Sequence, residues 1–67
     1  MNAKVIFKSG KTVIIDDVKE IRRKYPNGNT DTLKPQDCFV VTAPLIFIGK
    51  QILSVSSDSV EYVEFRD

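Results

Sequence analysis

The chain has 67 residues, a net charge of +1, a hydrophobic fraction of 42% and a charged fraction of 28%, which is the composition of one small globular domain. So short a chain buries only about 60% of its unfolded surface, and chains of this size commonly rely on a staple or a partner. The residue inventory argues against staples: Cys38 has no second cysteine, and there is no histidine to complete a zinc set.

The longest uncharged stretch, Cys38 to Gly49, has 12 residues and contains Pro44, short of the ~20 residues of a membrane-spanning helix. The opening Met-Asn-Ala-Lys passes into a strand pattern without an apolar signal core, so a cytoplasmic location with no membrane contact is expected. Charge is unevenly distributed. Residues 1–34 hold eight bases (Lys4, Lys8, Lys11, Lys19, Arg22, Arg23, Lys24, Lys34) and four acids (Asp16, Asp17, Glu20, Asp31); residues 35–67 hold Lys50 and Arg66 against Asp37, Asp58, Glu61, Glu64 and Asp67. The two halves should attract each other.

In chain order, Val5 to Phe7 reads as a strand, Lys8-Ser9-Gly10-Lys11 as a two-residue hairpin loop, and Thr12 to Ile15 as the returning strand. Asp16-Asp17 then ends the apolar run. Residues 17–25 read as a short helix, with Val18, Ile21 and Tyr25 on its apolar side, against a bulged strand as the alternative. Pro26 to Asp37 reads as a long aperiodic loop, either a connector or a binding loop.

The stretch Cys38 to Leu53 carries most of the dense apolar surface. It reads as strands Phe39 to Val41 and Leu45 to Ile48 around a proline bend, then a Gly49-Lys50 turn into Ile52 to Val55. A polar turn, Ser56 to Ser59, leads to Val60 to Phe65, completing a four-strand meander. A faint internal echo matches Gly10 to Ile14 with Gly49 to Leu53, and Asp17 to Ile21 with Ser59 to Val63. A flat sheet of such strands has two exposed edges, and pairing the first strand with the last removes them. Lys4 and Lys8 would then face Glu61 and Glu64. The expected fold is therefore mainly β: a small antiparallel SH3-like or partly open β-barrel of five to six short strands, with one short helix at residues 17–25, forming a single domain over residues 1–67.

Little in the chain points to chemistry. Gly10-Lys11-Thr12 resembles the end of a phosphate loop, but position 5 is valine and a β-branched run follows. Cys38 has no base to ionise it and reads as a small core residue. The acids at Asp16-Asp17 and from Asp58 to Asp67 read as caps and solvated faces. No enzymatic activity, cofactor or metal is expected.

Binding is the better expectation. Lys19, Arg22, Arg23, Lys24 and Tyr25 form the most basic segment; on a helix Lys19, Arg22 and Arg23 would share one side, with Tyr25 able to stack on a base. Phe47, Tyr62 and Phe65 are expected to stand out of the sheet, and the run Leu45-Ile46-Phe47-Ile48 either spans a closed core or leaves an apolar patch open to a partner or a second copy. The last third, Phe47-Ile48-Gly49-Lys50 through Ser59-Val60-Glu61-Tyr62-Val63-Glu64-Phe65, resembles small, uncharacterised β-rich proteins of phages and prophages of Gram-positive bacteria. That resemblance implies a small accessory or host-interacting binder and transfers no site residues. The expected function is a non-enzymatic module binding a protein partner or a second copy of itself, with nucleic-acid contact through the Lys19 to Tyr25 segment as the alternative.

Overall fold

A computed structural model describes residues 1–37 and 43–67, so Cys38 and the strand expected at Phe39 to Val41 lie outside the described residues. Among those described, seven strands follow one another: β1 (Asn2–Phe7), β2 (Thr12–Ile15), β3 (Glu20–Lys24), β4 (Thr30–Leu33), β5 (Leu45–Ile48), β6 (Ile52–Val55) and β7 (Val60–Arg66). The helical pieces among them are short 3-10 turns at Pro35–Asp37 and Ser57–Ser59.

The first hairpin closes through a three-residue loop, Lys8-Ser9-Gly10, where two residues were expected. Phe7 N–H donates to Lys11 O at 2.8 Å and Gly10 N–H to Phe7 O at 2.8 Å, with Gly10 at φ +91°. Ser9 Oγ accepts from Lys11 N–H. Pro26-Asn27-Gly28 repeats this loop between β3 and β4. Tyr25 and Asn29 close it, Gly28 has φ +89°, and Asn27 Oδ1 accepts from Asn29 N–H. Both are the turn-plus-left-handed-residue loops that suit the twist of antiparallel strands.

The helix expected over residues 17–25 is a strand. β3 hydrogen-bonds on both sides, to β4 and to β5, and two ladders outweigh the one or two marginal turns a segment this short could form. The long loop expected from Pro26 to Asp37 is likewise structured, since it contains the turn, β4 and the 3-10 turn.

The strands form two antiparallel sheets, of order β2-β1-β7 and β4-β3-β5-β6. The expected pairing of first and last strands is present, with Lys4 opposite Glu64, but a bulge after Ile6 skips Glu61 and sets Lys8 N–H on Ser59 O. Among the described strands the two sheets are not closed into a barrel. Closure needs a continuous ladder, whereas β6 pairs with β5 and β7 leaves for the other sheet, so the Ser56 to Ser59 turn is a crossing rather than the last bend of a meander.

One pairing scheme occurs twice. The hairpin β1–β2 sends its third strand, β3, to the four-stranded sheet beside β5; the hairpin β5–β6 sends β7 to the three-stranded sheet beside β1. Registers correspond residue by residue: Val5 lies between Val13 and Val63, and Phe47 between Leu53 and Ile21; Ala3 lies between Ile15 and Phe65, and Leu45 between Val55 and Arg23. The core follows the same pairs: Ala3 and Leu45, Val5 and Phe47, Ile15 and Val55, Val18 and Val60 are all buried, and Ile21 is buried where its counterpart Val63 is half-buried. The echo of Asp17 to Ile21 with Ser59 to Val63 is in this register. That of Gly10 to Ile14 with Gly49 to Leu53 is displaced by one residue.

The halves lock at the corner between β2 and β3. Asp17 sits at φ +54°, a conformation aspartate tolerates better than most residues. Four consecutive corner amides find partners: Asp16 N–H donates to Gln51 Oε1, Asp17 N–H to Asn2 Oδ1, Val18 N–H to Met1 O and Lys19 N–H to Ile48 O. Lys50 N–H returns a bond to Asp16 O. Gly49 lies directly beneath, where a Cβ would stand 2.5 Å from Asp16 O and 2.9 Å from Asp17 O, both backbone atoms. Gly49→Ala should therefore destabilise the fold by about 1–3 kcal/mol through overpacking, read as a lower urea midpoint. Gly10→Ala, which meets nothing within 4 Å, should cost only the ~1 kcal/mol of its left-handed backbone. Equal midpoints for the two variants would remove Gly49 from this role.

Candidate binding surfaces

Strand alternation distributes the basic segment over two faces. Arg22 and Lys24 point outward from the four-stranded sheet, whereas Arg23 lies in the inward row with Ile21, so Lys19, Arg22 and Arg23 do not share the single side a helix would give them. Lys19, exposed before β3, pairs with Asp17 at 3.8 Å. Arg22 lies against Glu20 Oε1 at 3.2 Å and donates from Nε to Thr30 Oγ1 at 2.9 Å. Lys24 is exposed.

Arg23, Tyr25 and Asp31 form one cluster where the inward row ends. Register sets Arg23 opposite Asp31, and the guanidinium donates to both carboxylate oxygens, Nε at 3.2 Å and Nη2 at 2.8 Å. Tyr25 donates its hydroxyl to Asp31 Oδ2 at 2.8 Å, and the Arg23 guanidinium stands 4.9 Å from the centre of its ring. The hydrogen bonds from Arg23, then from Tyr25, hold the Asp31 carboxyl below its usual range. The bond to Asp31, then burial, pushes the Tyr25 phenol up, and Asp31 likewise raises Arg23. Three half-buried polar groups thus cap the open end of the core by satisfying one another.

The aromatic expectations divide. Phe47 is fully buried, because register turns it inward beside Ile21 and Leu53; it belongs to the core and does not stand out of the sheet. Phe65 is half-buried against the core. Tyr62 is 47% exposed on the outer side of the three-stranded sheet, in one row with Ile6.

No family model, curated protein or solved structure matches the chain. The surfaces therefore speak through their own chemistry. Among the described residues no group of three or more acids, Cys or His is placed to hold a metal ion, and no helix is long and apolar enough to cross a membrane.

The run Leu45 to Ile48, expected either to span a closed core or to leave an apolar patch, has one open side, and Ile52 is the residue of that side that sequence reasoning missed. Leu45 and Phe47 face inward and are buried, so Ile46 and Ile48 face out and remain half-buried, while Ile52, opposite Ile48 on β6, is 72% exposed. Arg22 flanks Ile46 and Glu20 flanks Ile48 on β3. The signal for the open side was the uninterrupted run Leu45-Ile46-Phe47-Ile48, which in a two-sheet domain must leave every second side chain outside.

The cluster at Asp31 sets a pH dependence. Its carboxyl is depressed in the folded chain, so its contribution is present above about pH 4, the ordinary range for aspartate, and is lost as pH falls through the depressed value. Asp31→Asn should lower the melting temperature at pH 7, and its deficit relative to the wild type should shrink as the pH is taken down to 2. A deficit independent of pH would show that the carboxylate's charge contributes nothing.

Proposed function

We propose that the chain is a non-enzymatic binding module that contacts another protein through the outer face of its four-stranded sheet. The observation that carries this reading is the outward row of Ile46 and Ile48, half-buried, beside the exposed Ile52. A small domain gains little by leaving three isoleucines on one outer face, since burying such a side chain is worth about 1.5–3 kcal/mol. An apolar centre rimmed by Arg22, Glu20, Lys24 and Thr32 has the layout of a protein interface: a desolvated middle surrounded by groups that set register. The resemblance of the last third to small phage and prophage proteins fits an accessory binder of this kind.

Nucleic-acid contact through Lys19, Arg22, Arg23, Lys24 and Tyr25 is the competing reading. Arg23 and Tyr25 are engaged with Asp31, and Arg22 and Lys19 each have an acid within 4 Å, which leaves few cations for phosphates.

Ile52→Lys should leave the melting temperature nearly unchanged, as exposed positions usually do, and should weaken capture of the partner from host lysate at least ~5-fold. Sedimentation of the same two proteins reports whether that partner is a second copy. Capture insensitive to Ile52→Lys, or salt-dependent binding of DNA or RNA lost on replacing Lys19 and Lys24, would overturn the proposal.

A further inference from the structure

Among the described strands the repeated pairing scheme is incomplete in one place. In the four-stranded sheet β3 pairs with β5 on one side and β4 on the other; in the three-stranded sheet β7, the counterpart of β3, pairs with β1 alone among the described strands. The vacancy shows in the side chains. Ile21, beside Leu33 of β4, is 2% exposed, whereas Val63 in the corresponding position is half-buried, as is Phe65. β7 is also the longest strand described and carries no proline, so its outer edge presents a template for an added strand.

We infer that the edge of β7 away from β1, unpaired among the described strands, accepts an extended antiparallel segment of another protein with an apolar–basic–apolar sequence, in the position that β4 occupies beside β3. The β3–β4 register sets the chemistry. Ile21, Arg22 and Arg23 oppose Leu33, Thr32 and Asp31; transferred to β7, the occupant places an apolar residue beside Val63, a base beside Glu64, an apolar residue beside Phe65 and an acid beside Arg66. Arg23 with Asp31 shows the filled slot already using a cross-strand charge pair. Backbone hydrogen bonds supply affinity and the alternate side chains supply selectivity in this mode of recognition. A second copy fits worse, because aligning Phe65 with Val63 of an antiparallel β7 centres the pair on Glu64 and sets it against its own copy.

The test uses the whole chain, ¹⁵N-labelled, and two synthetic peptides, Thr-Glu-Val-Arg-Val-Thr and its charge-exchanged form Thr-Arg-Val-Glu-Val-Thr, at millimolar concentration. The first peptide should slow hydrogen exchange at alternate amides of β7 and bind about fivefold or more tighter than the second. Glu64→Gln should shrink that preference and Glu64→Lys cancel it, since Arg66 still favours the first peptide, with melting curves confirming that both variants fold. The inference is overturned if the peptides bind equally, if the shifted amides lie on β2, β4 or β6, or if the free chain sediments as a dimer with β7 already protected. Glu64 and Ile52 lie on different sheets, so this result and that for the isoleucine face are read separately.

Discussion

Each hairpin in this chain has an apolar face and too few residues to bury it alone. A two-stranded hairpin is marginal in water, and a third strand beside it still leaves one face exposed. The chain resolves this by exchange: β3 leaves the first hairpin to complete the sheet of the second, and β7 leaves the second to complete the sheet of the first. Neither half then has a core of its own, and Phe47, Ile15 and Val5 are fully buried only because both sheets are present. Everything depends on the crossing at Asp16 to Lys19, where four amides lose their sheet partners within one bend and regain others from Gln51, Asn2, Met1 and Ile48. An amide left unsatisfied there would cost about 1–3 kcal/mol, a large fraction of the stability of a domain this size. Gly49 is the steric condition for the crossing, because the backbone of the corner occupies the space a side chain would need.

The same exchange explains where polar chemistry is tolerated. The inward rows of the two sheets correspond, yet Phe65 stands in one where Arg23 stands in the other. Arginine is acceptable at that position because β4 brings Asp31 opposite it and the loop brings Tyr25. In the three-stranded sheet, where no fourth strand is seen among the described residues, the position is aromatic. The polar cluster is thus a consequence of β4, and β4 is in turn held by that cluster, since Thr30-Asp31-Thr32 has little apolar surface with which to adhere.

These couplings mark what the sequence made legible. The first hairpin, the Gly49 turn, the strands Leu45 to Ile48, Ile52 to Val55 and Val60 to Phe65, and the opposition of Lys4 and Glu64 follow from β-branched runs, turn residues and charge. β3 was hidden because Val18, Ile21 and Tyr25 are spaced as on a helix, while its strand alternation includes Arg23, an inward residue whose partner lies eight positions on. β4 was hidden because its stability comes from that partner. The two-sheet arrangement was hidden because the choice between a barrel and an exchange rests on which strand β7 meets, a long-range matter that local pattern does not encode. Phe47 was misplaced for a related reason: in a run apolar on both sides, register alone decides which side chains face in.

The candidate surfaces were less legible than the fold, and the reason is physical. An interface of this type carries no distinctive residue set; it consists of ordinary isoleucines and a strand edge whose meaning depends on what lies beside them. Ile52 and Leu53 are adjacent and similarly apolar, yet one is 72% exposed and the other packs against the core. Val63 and Ile21 occupy equivalent positions and differ in exposure because Ile21 has described strands on both sides and Val63 on one. A side chain's contribution here is fixed by pairing, and pairing is fixed by the crossing at Asp16 to Lys19. The constraint that lets so small a chain fold also determines which of its apolar groups are left for a partner.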